Sequence, residues 1–385
     1  MSEEKEEIVR RLLIISVGSS ASIHLLGRIS ATYPDLLFRN KIMIIESSRK
    51  MFNDAIDNLT RIYKRNYAKL RGRREEELKE GFPFSSFKAE LRENSVLLAE
   101  GGGGATPERG LAYYSENREV VLDKIVNLVT NESGEREVSG IIVLGCAGKG
   151  TGTLVTPALA KDLFAETKIP PPLAFITIPF RFDKMSIQNA MKIQEYLKDV
   201  PLFLLDYERA VGAYVYLSGE VPEKEIPLRG LYNMVVGVLT GVLSTLIEAL
   251  NYSTECDPPL DWSDIVATLL EKGYVGTVTY SVRSNKDEFV KHWKDDVSTL
   301  LFLRTKSRPT RTSAVTIIRG EEVPYGIAKD VTSFFEKFIG ASPRFYSLYR
   351  GPEYRMISLI QGFPPDEITP PLKPGKGILE RLLGI

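Results

Sequence analysis

Gly145-Cys146-Ala147-Gly148-Lys149-Gly150-Thr151-Gly152-Thr153 is the stretch on which the reading of this chain turns. It follows Ile141 to Leu144, an apolar, β-branched segment that reads as a buried strand, and it precedes a helical pattern from Leu154 to Ala165. Glycines at a strand–helix junction let the backbone turn tightly and approach a ligand closely. The amide groups and positive end of the following helix then face an anion, most often a phosphate. The run predicts an α/β unit that binds a nucleotide.

The same pattern recurs on both sides of it. Leu12 to Val17 reads as a strand that runs into Gly18-Ser19-Ser20-Ala21-Ser22, then a helix with Ile23, Leu26 and Ile29 on one side. Lys41 to Ile45 is a second strand, ending at Glu46-Ser47-Ser48. Val96 to Ala99 leads into Gly101-Gly102-Gly103-Gly104-Ala105-Thr106-Pro107, with a helix from about Asn117 to Val129. Leu173 to Ile178 is closed by Pro179-Phe180-Arg181-Phe182-Asp183, and Pro201 to Leu205 by Asp206-Tyr207. Strands alternating with helices predict a parallel sheet. Each glycine-rich or polar turn falls at the carboxyl end of a strand, where open α/β sheets bind ligands. Arg49 to Glu80 is polar and reads as a solvated helical face or loop insertion.

A long apolar helix from Gly230 to Leu250 closes this half, and Cys256-Asp257-Pro258-Pro259 breaks it. Strands at Val275–Val282, Ala314–Arg319 and Arg355–Gln361, with helices at Asp287–Leu301 and Tyr325–Ile339, suit a smaller α+β unit. The length of 385 residues fits two domains. The expected division is a nucleotide-binding domain at 1–229, a linking helix at 230–255, an α+β domain at 256–363, and a linker with tail peptide at 364–385. In the tail, Ile378, Leu379, Leu382 and Leu383 recur at helical spacing.

Composition narrows the chemistry. Lys+Arg and Asp+Glu balance at 50 each, so no global field draws the chain to nucleic acid. Cys146 and Cys256 are too few for a disulfide framework or zinc site. With His24 and His292 the only histidines, carboxylates and backbone are left to do any chemistry. The N-terminus lacks the apolar core of a signal peptide, and no segment reads as long enough to span a membrane. A cytoplasmic protein without direct membrane span is expected.

The individual glycine motifs do not fit the commonest nucleotide signatures. The turn at Gly18 is a degraded form of the dinucleotide pattern, and Glu46 lies beyond the usual position of its acidic partner. The run at Lys149 is not a Walker A motif, which needs Ser or Thr directly after the lysine; here Gly150 follows. A dehydrogenase is disfavoured because no hydride-transfer site accompanies the turns. Three glycine turns at successive strand ends suit a triphosphate, whose charge is spread over many oxygens.

In order and spacing the chain resembles the tubulin/FtsZ polymerising GTPases, as a divergent, archaeal-type FtsZ/CetZ-like member. Gly148-Lys149-Gly150-Thr151-Gly152-Thr153-Leu154, with Pro157 after it, is similar to the signature GGGTGTG…P, with Lys149 and Leu154 in place of glycines. Gly102 to Gly110 resembles the phosphate loop GAGGNPEVG, keeping Pro107, Glu108 and Gly110. Val17 to Ala21 stands where the family has VGGAG, and Thr177 to Asp183 is similar to TKPFEFE. Pro259-Leu260-Asp261-Trp262-Ser263-Asp264-Ile265 resembles the loop NLDFADV, and Met356 to Phe363 the closing strand.

The resemblance implies a Rossmann-like GTPase domain, a central helix and a smaller α+β domain. It implies GTP and GDP as ligands, with Mg²⁺. The nucleotide is expected at Gly18, Ser19, Ser20 and Ser22, at Glu46, at Gly103, Gly104, Ala105 and Thr106, and at Gly148, Lys149, Gly150, Thr151, Gly152 and Thr153. Asp183 is expected at the ribose, with Tyr232 stacking on guanine and Asn233 reading it. Asp261 and Asp264 are expected to complete the neighbouring subunit's site, which makes self-association head to tail the principal partnership. Residue by residue, Asp261 with Asp264 also reads as a helix cap. The tail is the expected contact for a membrane tether or regulatory protein. Departures at Ala21, Lys149, Leu154 and Ile187, where the family keeps glycines and an arginine, leave a non-hydrolysing scaffold as the alternative.

Overall fold

A computed structural model of the chain describes residues 11–75, 78, 83–131, 133–218, 225–271, 273–299, 303 and 313–366. The tail expectations beyond Asp366 lie outside the described residues. Among the described residues, eleven strands form one sheet: β1 (Arg11–Val17), β2 (Lys41–Glu46), β3 (Val96–Leu97), β4 (Val138–Cys146), β5 (Pro172–Ile178), β6 (Leu202–Asp206), β7 (Cys256–Asp257), β8 (Val275–Arg283), β9 (Ser313–Gly320), β10 (Arg344–Tyr349) and β11 (Tyr354–Phe363). Their order is β3-β2-β1-β4-β5-β6-β8-β11-β9-β10-β7. The first six are parallel in the doubly wound order, which puts the switch point between β1 and β4. β11 runs antiparallel between β8 and β9.

The two halves of the sheet meet through one register pair, Phe203 with Gly276. A side chain at 276 would strike the Phe203 ring at 2.6 Å, so the seam depends on glycine there.

β1 and β4 are buried on both faces, which is why they read as continuous apolar runs. Leu12, Ile14, Ile142 and Leu144 join one core layer; Leu13, Ile15, Ile141 and Val143 join the other. The helices Arg49–Leu70 and Leu228–Asn251 cover the first face. Pro107–Glu116, Arg118–Val129, Thr151–Ala165 and, in the second half, Lys286–Thr299 cover the other.

Three expectations are corrected. Arg49–Leu70 is no solvated insertion: Phe52, Ile56, Leu59 and Ile62 form a buried stripe along it. Leu228–Asn251 is long and apolar enough to cross a bilayer on length and composition, contrary to the sequence reading, but 72% of its most apolar stretch is buried within the fold. The first helix opens as a π-helical segment, Ser20–Leu26, before the α-helix Gly27–Thr32. That wider winding buries Leu25 and Leu26 and leaves Ile23 only partly covered.

Candidate functional site

Two cavities adjoin at the carboxyl ends of β1, β2, β4 and β5. One, of about 400 Å³, is walled by the turns after β1, β2, β3 and β4. The other, of about 510 Å³, lies between the first helix, the turn after β5 and the start of Leu228–Asn251. Ser20, Cys146 and Lys149 line both, so the cavities form one bent space.

The smaller cavity is built from backbone. Gly18 (φ +84°), Gly102 (φ +77°), Gly104 (φ +60°) and Ala105 (φ +61°) occupy the left-handed region. Ala105 is the only non-glycine to do so among the described residues, a strained arrangement of the kind that clusters at ligand sites. Turns of this type form concavities that hold anions. Gly152 packs so closely that a Cβ would lie 2.7 Å from the Cys146 carbonyl oxygen. Helix Thr151–Ala165 starts here, with Gly150 at its N-cap, and directs its positive end at the cavity.

Side chains bind these turns together. The Ser47 hydroxyl lies 2.6 Å from that of Thr151 and accepts from the Gly103 amide at 3.1 Å. Asn189 donates to the carbonyls of Ala105 (2.9 Å) and Gly148 (3.2 Å). Glu46 is 4% exposed; its Oε1 accepts from the Ser47 amide at 2.7 Å, while Oε2 has no hydrogen-bond partner among the described residues. Burial pushes this carboxyl above the ordinary glutamate range, against the hydrogen bonds that favour its charged form.

Of the residues expected at the nucleotide along the glycine turns, Gly18, Ser19, Ser20, Glu46, Gly103, Gly104, Ala105, Lys149, Gly150, Thr151 and Gly152 line this cavity. Ser22, Thr106, Gly148 and Thr153 do not. The Ser22 hydroxyl donates to the Gly18 carbonyl and the Ser16 hydroxyl. Thr106 is the N-cap of Pro107–Glu116. The Thr153 hydroxyl accepts from the Gly148 amide at 2.9 Å, fixing the turn from behind.

The larger cavity mixes apolar and charged side chains, with the rings of Tyr207 and Tyr232 on one wall. The Tyr232 ring meets Phe180 and Tyr207 edge-on, with centroids 5.1 and 5.2 Å away. Asp183 lines it and caps Lys184–Met191, accepting from the Ser186 amide (3.0 Å) and hydroxyl (2.6 Å). Those two bonds, with Lys149 beside them, hold its carboxyl below the ordinary aspartate range. Burial raises the Cys146 thiol to about 11, so it is a packed thiol rather than a nucleophile. Asn233 does not line this space. One residue farther round the helix than Tyr232, it accepts from the Arg28 guanidinium and borders an adjoining groove that shares Arg28, Arg229 and Val236 with this cavity. His24, Arg28, Thr177 and Arg229, absent from the sequence prediction, line the cavity. The strand end at Glu46-Ser47-Ser48 was the available signal for Ser47; nothing in the sequence pointed to Asn189 or Arg229.

Asp261 and Asp264 are far from both cavities. They form a capping box at the start of Trp262–Leu269, with Asp264 Oδ2 accepting from the Asp261 amide at 3.2 Å. Trp262 anchors this loop at the amino ends of β4 and β5: its indole occupies the space where Gly140 has no side chain, and its N–H donates to the Pro171 carbonyl at 3.2 Å. From Gly140 to Cys146 the strand advances roughly 20 Å.

No protein-family model matches the chain, and no curated protein matches it by sequence. Solved structures do match. CetZ1 from Haloferax volcanii, a GDP-bound monomer, superposes with a TM-score of 0.62 at 15% identity, over 91% of this chain and 93% of that one. CetZ2 from the same organism, a GTPγS-bound protofilament, gives 0.63 at 15% identity, over 91% and 92%. An empty FtsZ dimer from M. jannaschii gives 0.61 at 14% identity, over 94% and 93%. The chain has the tubulin/FtsZ fold. Within that fold, three of the four departures are packing residues: Ala21, Leu154 and Ile187 are buried and line neither cavity. Lys149 alone among them faces the bent space.

Proposed function

We propose that the chain binds a guanine nucleotide in the bent cavity, assembles head to tail, and hydrolyses GTP where Asp261 and Asp264 of one subunit meet the phosphate cavity of the next. The observation that carries this reading is the separation along β4. The cradle opens at its carboxyl end and the acidic pair is anchored at its amino end, so the two meet only between subunits. Such contacts are heterologous and propagate. The protofilament form of CetZ2, at matched fold, supports the same assembly. On this reading 1–229 is the nucleotide domain, 230–255 the linking helix and 256–363 the α+β domain.

The roles follow from the chemistry. Amides of the turns at Gly18, Gly103 and Gly150 cradle the phosphates, helped by the helix end. Ionised Asp183 accepts from ribose hydroxyls, and Tyr232 walls the base. Phosphoryl transfer is mostly positioning and charge neutralisation, and the trans carboxylates orient the attacking water. The unpartnered, buried Oε2 of Glu46 in the phosphate cavity is a hard oxygen that fits Mg²⁺ shared with phosphates. Bound there, Mg²⁺ would offset phosphate charge.

The second reading, a nucleotide-binding scaffold without turnover, is favoured by the engagement of Asp264 with Arg344 at 3.3 Å. Sedimentation and electron microscopy with GTP and with GDP, alongside phosphate release, test both. Asp261→Ala is expected to abolish phosphate release while nucleotide binding persists. Assembly without any phosphate release from the unaltered protein supports the scaffold instead.

A further inference from the structure

The phosphate cavity is short of positive charge. Among the described residues lining it, Lys149 is the one cationic side chain, and its Nζ lies 3.9 Å from Asp183. The buried carboxyl of Glu46 faces the same space. The position four residues beyond Asp183, where the resemblance leads one to expect an arginine, is buried Ile187. Backbone amides can cradle a triphosphate, but charge developing on its terminal oxygens calls for a guanidinium or metal.

An arginine of the right kind stands at the other end of the molecule. Arg344 opens β10 with half of its side chain exposed, and its Nη1 lies 3.3 Å from Asp264 Oδ1. A single exposed contact of this length contributes at most about 1 kcal/mol, so it exchanges readily for a better acceptor. A guanidinium carries five donors in a fixed fork suited to phosphate. One nitrogen of the fork meets Asp264 and the guanidinium also shares a hydrogen bond with the Tyr346 hydroxyl, which leaves further N–H groups for a phosphate.

We propose that Arg344 crosses the subunit boundary together with Asp261 and Asp264 and donates to the terminal phosphate of the neighbour's nucleotide. This rests on the head-to-tail reading. Leaving Asp264 for the phosphate frees that carboxylate for the attacking water. The water oxygen bonds to the terminal phosphorus and the bond to the bridging oxygen breaks. The electron pair stays on the departing diphosphate, and the water proton passes through the carboxylate to solvent. The ion pair in the free subunit is thus the resting position of both groups.

The test uses the full chain with Arg344→Ala and Arg344→Lys. Arg344→Ala should bind a fluorescent GTP analogue within about twofold of the unaltered protein, sediment with GTP, and release phosphate on the order of 100-fold more slowly per sedimented subunit. Arg344→Lys should recover part of the loss, since it restores charge without the fork. Mixing decides whether the residue acts in trans. Ala105→Asp puts a carboxylate into the phosphate cradle at a left-handed position that aspartate tolerates. Equimolar Arg344→Ala and Ala105→Asp should release more phosphate than the two measured apart, because each supplies what the other lacks. An unchanged rate in Arg344→Ala, or no recovery on mixing, overturns the proposal and leaves the head-to-tail reading standing. If the unaltered protein neither sediments nor shows concentration-dependent release, both fall together.

Discussion

Glu46 ends β2 with a carboxyl that is buried, lines the phosphate cavity and keeps one oxygen without a partner. Burial raises its pKa, so it holds its proton to higher pH than a free glutamate. A raised folded-state value means that its contribution to stability is present at low pH and is lost as pH rises through that value. On the proposed reading the same titration bears on phosphate binding. Below it the carboxyl is neutral and tolerates phosphate; above it the charge repels phosphate unless a cation intervenes. Without divalent ions, nucleotide affinity should therefore fall by roughly tenfold, about 1.4 kcal/mol of repulsion, as Glu46 ionises. Glu46→Gln should flatten that fall and weaken the response to Mg²⁺. Titrating fluorescent GDP against both proteins with and without Mg²⁺, across acid to neutral pH, measures it. Parallel pH profiles for the two proteins would remove Glu46 from the phosphate site.

At the scale of elements, the loop that carries Asp261 and Asp264 is held by one aromatic side chain over one missing methyl. A Cβ at position 140 would lie 2.2 Å from the Trp262 indole, so Gly140→Ala must displace the ring. Overpacking of this kind costs about 1–3 kcal/mol, readable in denaturant unfolding. The nucleotide cavity lies at the opposite end of β4, so nucleotide binding should survive while assembly-linked phosphate release is lost. Release at the unaltered rate would show that the loop's anchorage is irrelevant to turnover. The elements themselves were legible in uneven measure. Strands buried on both faces, such as Leu12–Val17 and Ile141–Leu144, announced themselves as apolar runs, and glycine turns marked their carboxyl ends. The helix Arg49–Leu70 did not, because its buried stripe of Phe52, Ile56, Leu59 and Ile62 is interleaved with charges. The side chains that tie the turns together were hidden too: Ser47 meets Thr151 across 104 positions of sequence. The facing of Tyr232 and Asn233 follows from how Leu228–Asn251 is rotated against the sheet, and neighbouring residues on a helix point about 100° apart. Packing of Val235, Leu239 and Leu246 into the core fixes that rotation, so local sequence could name the pair but not which of the two lines the larger cavity.

At the scale of the whole molecule, the fold separates the glycine-walled cavity from the acidic pair, and on the proposed reading each subunit carries half of a hydrolytic site at either end. On that reading a lone subunit holds its nucleotide, since Gly18, Gly103, Gly150 and Asp183 all come from one chain. It cannot bring Asp261 to that nucleotide across the roughly 20 Å of β4 that intervenes. Turnover per subunit should therefore depend on concentration even though nucleotide occupancy does not. At high dilution, phosphate release should be close to the uncatalysed background with the cavity fully loaded. Above the assembly threshold, the rate per subunit should climb steeply and then level off as nearly every cradle gains a neighbour. Raising the salt should move the threshold if exposed charged groups such as Arg344 and Asp264 meet phosphate across the boundary, because exposed pairs are screened. The measurement is phosphate release across a dilution series at saturating GTP, with sedimentation on the same samples. A rate per subunit that stays constant from far below to far above the threshold would mean that one chain holds the complete hydrolytic machinery. The catalytic groups would then have to be sought around Lys149 and Glu46 instead of at the far end of β4.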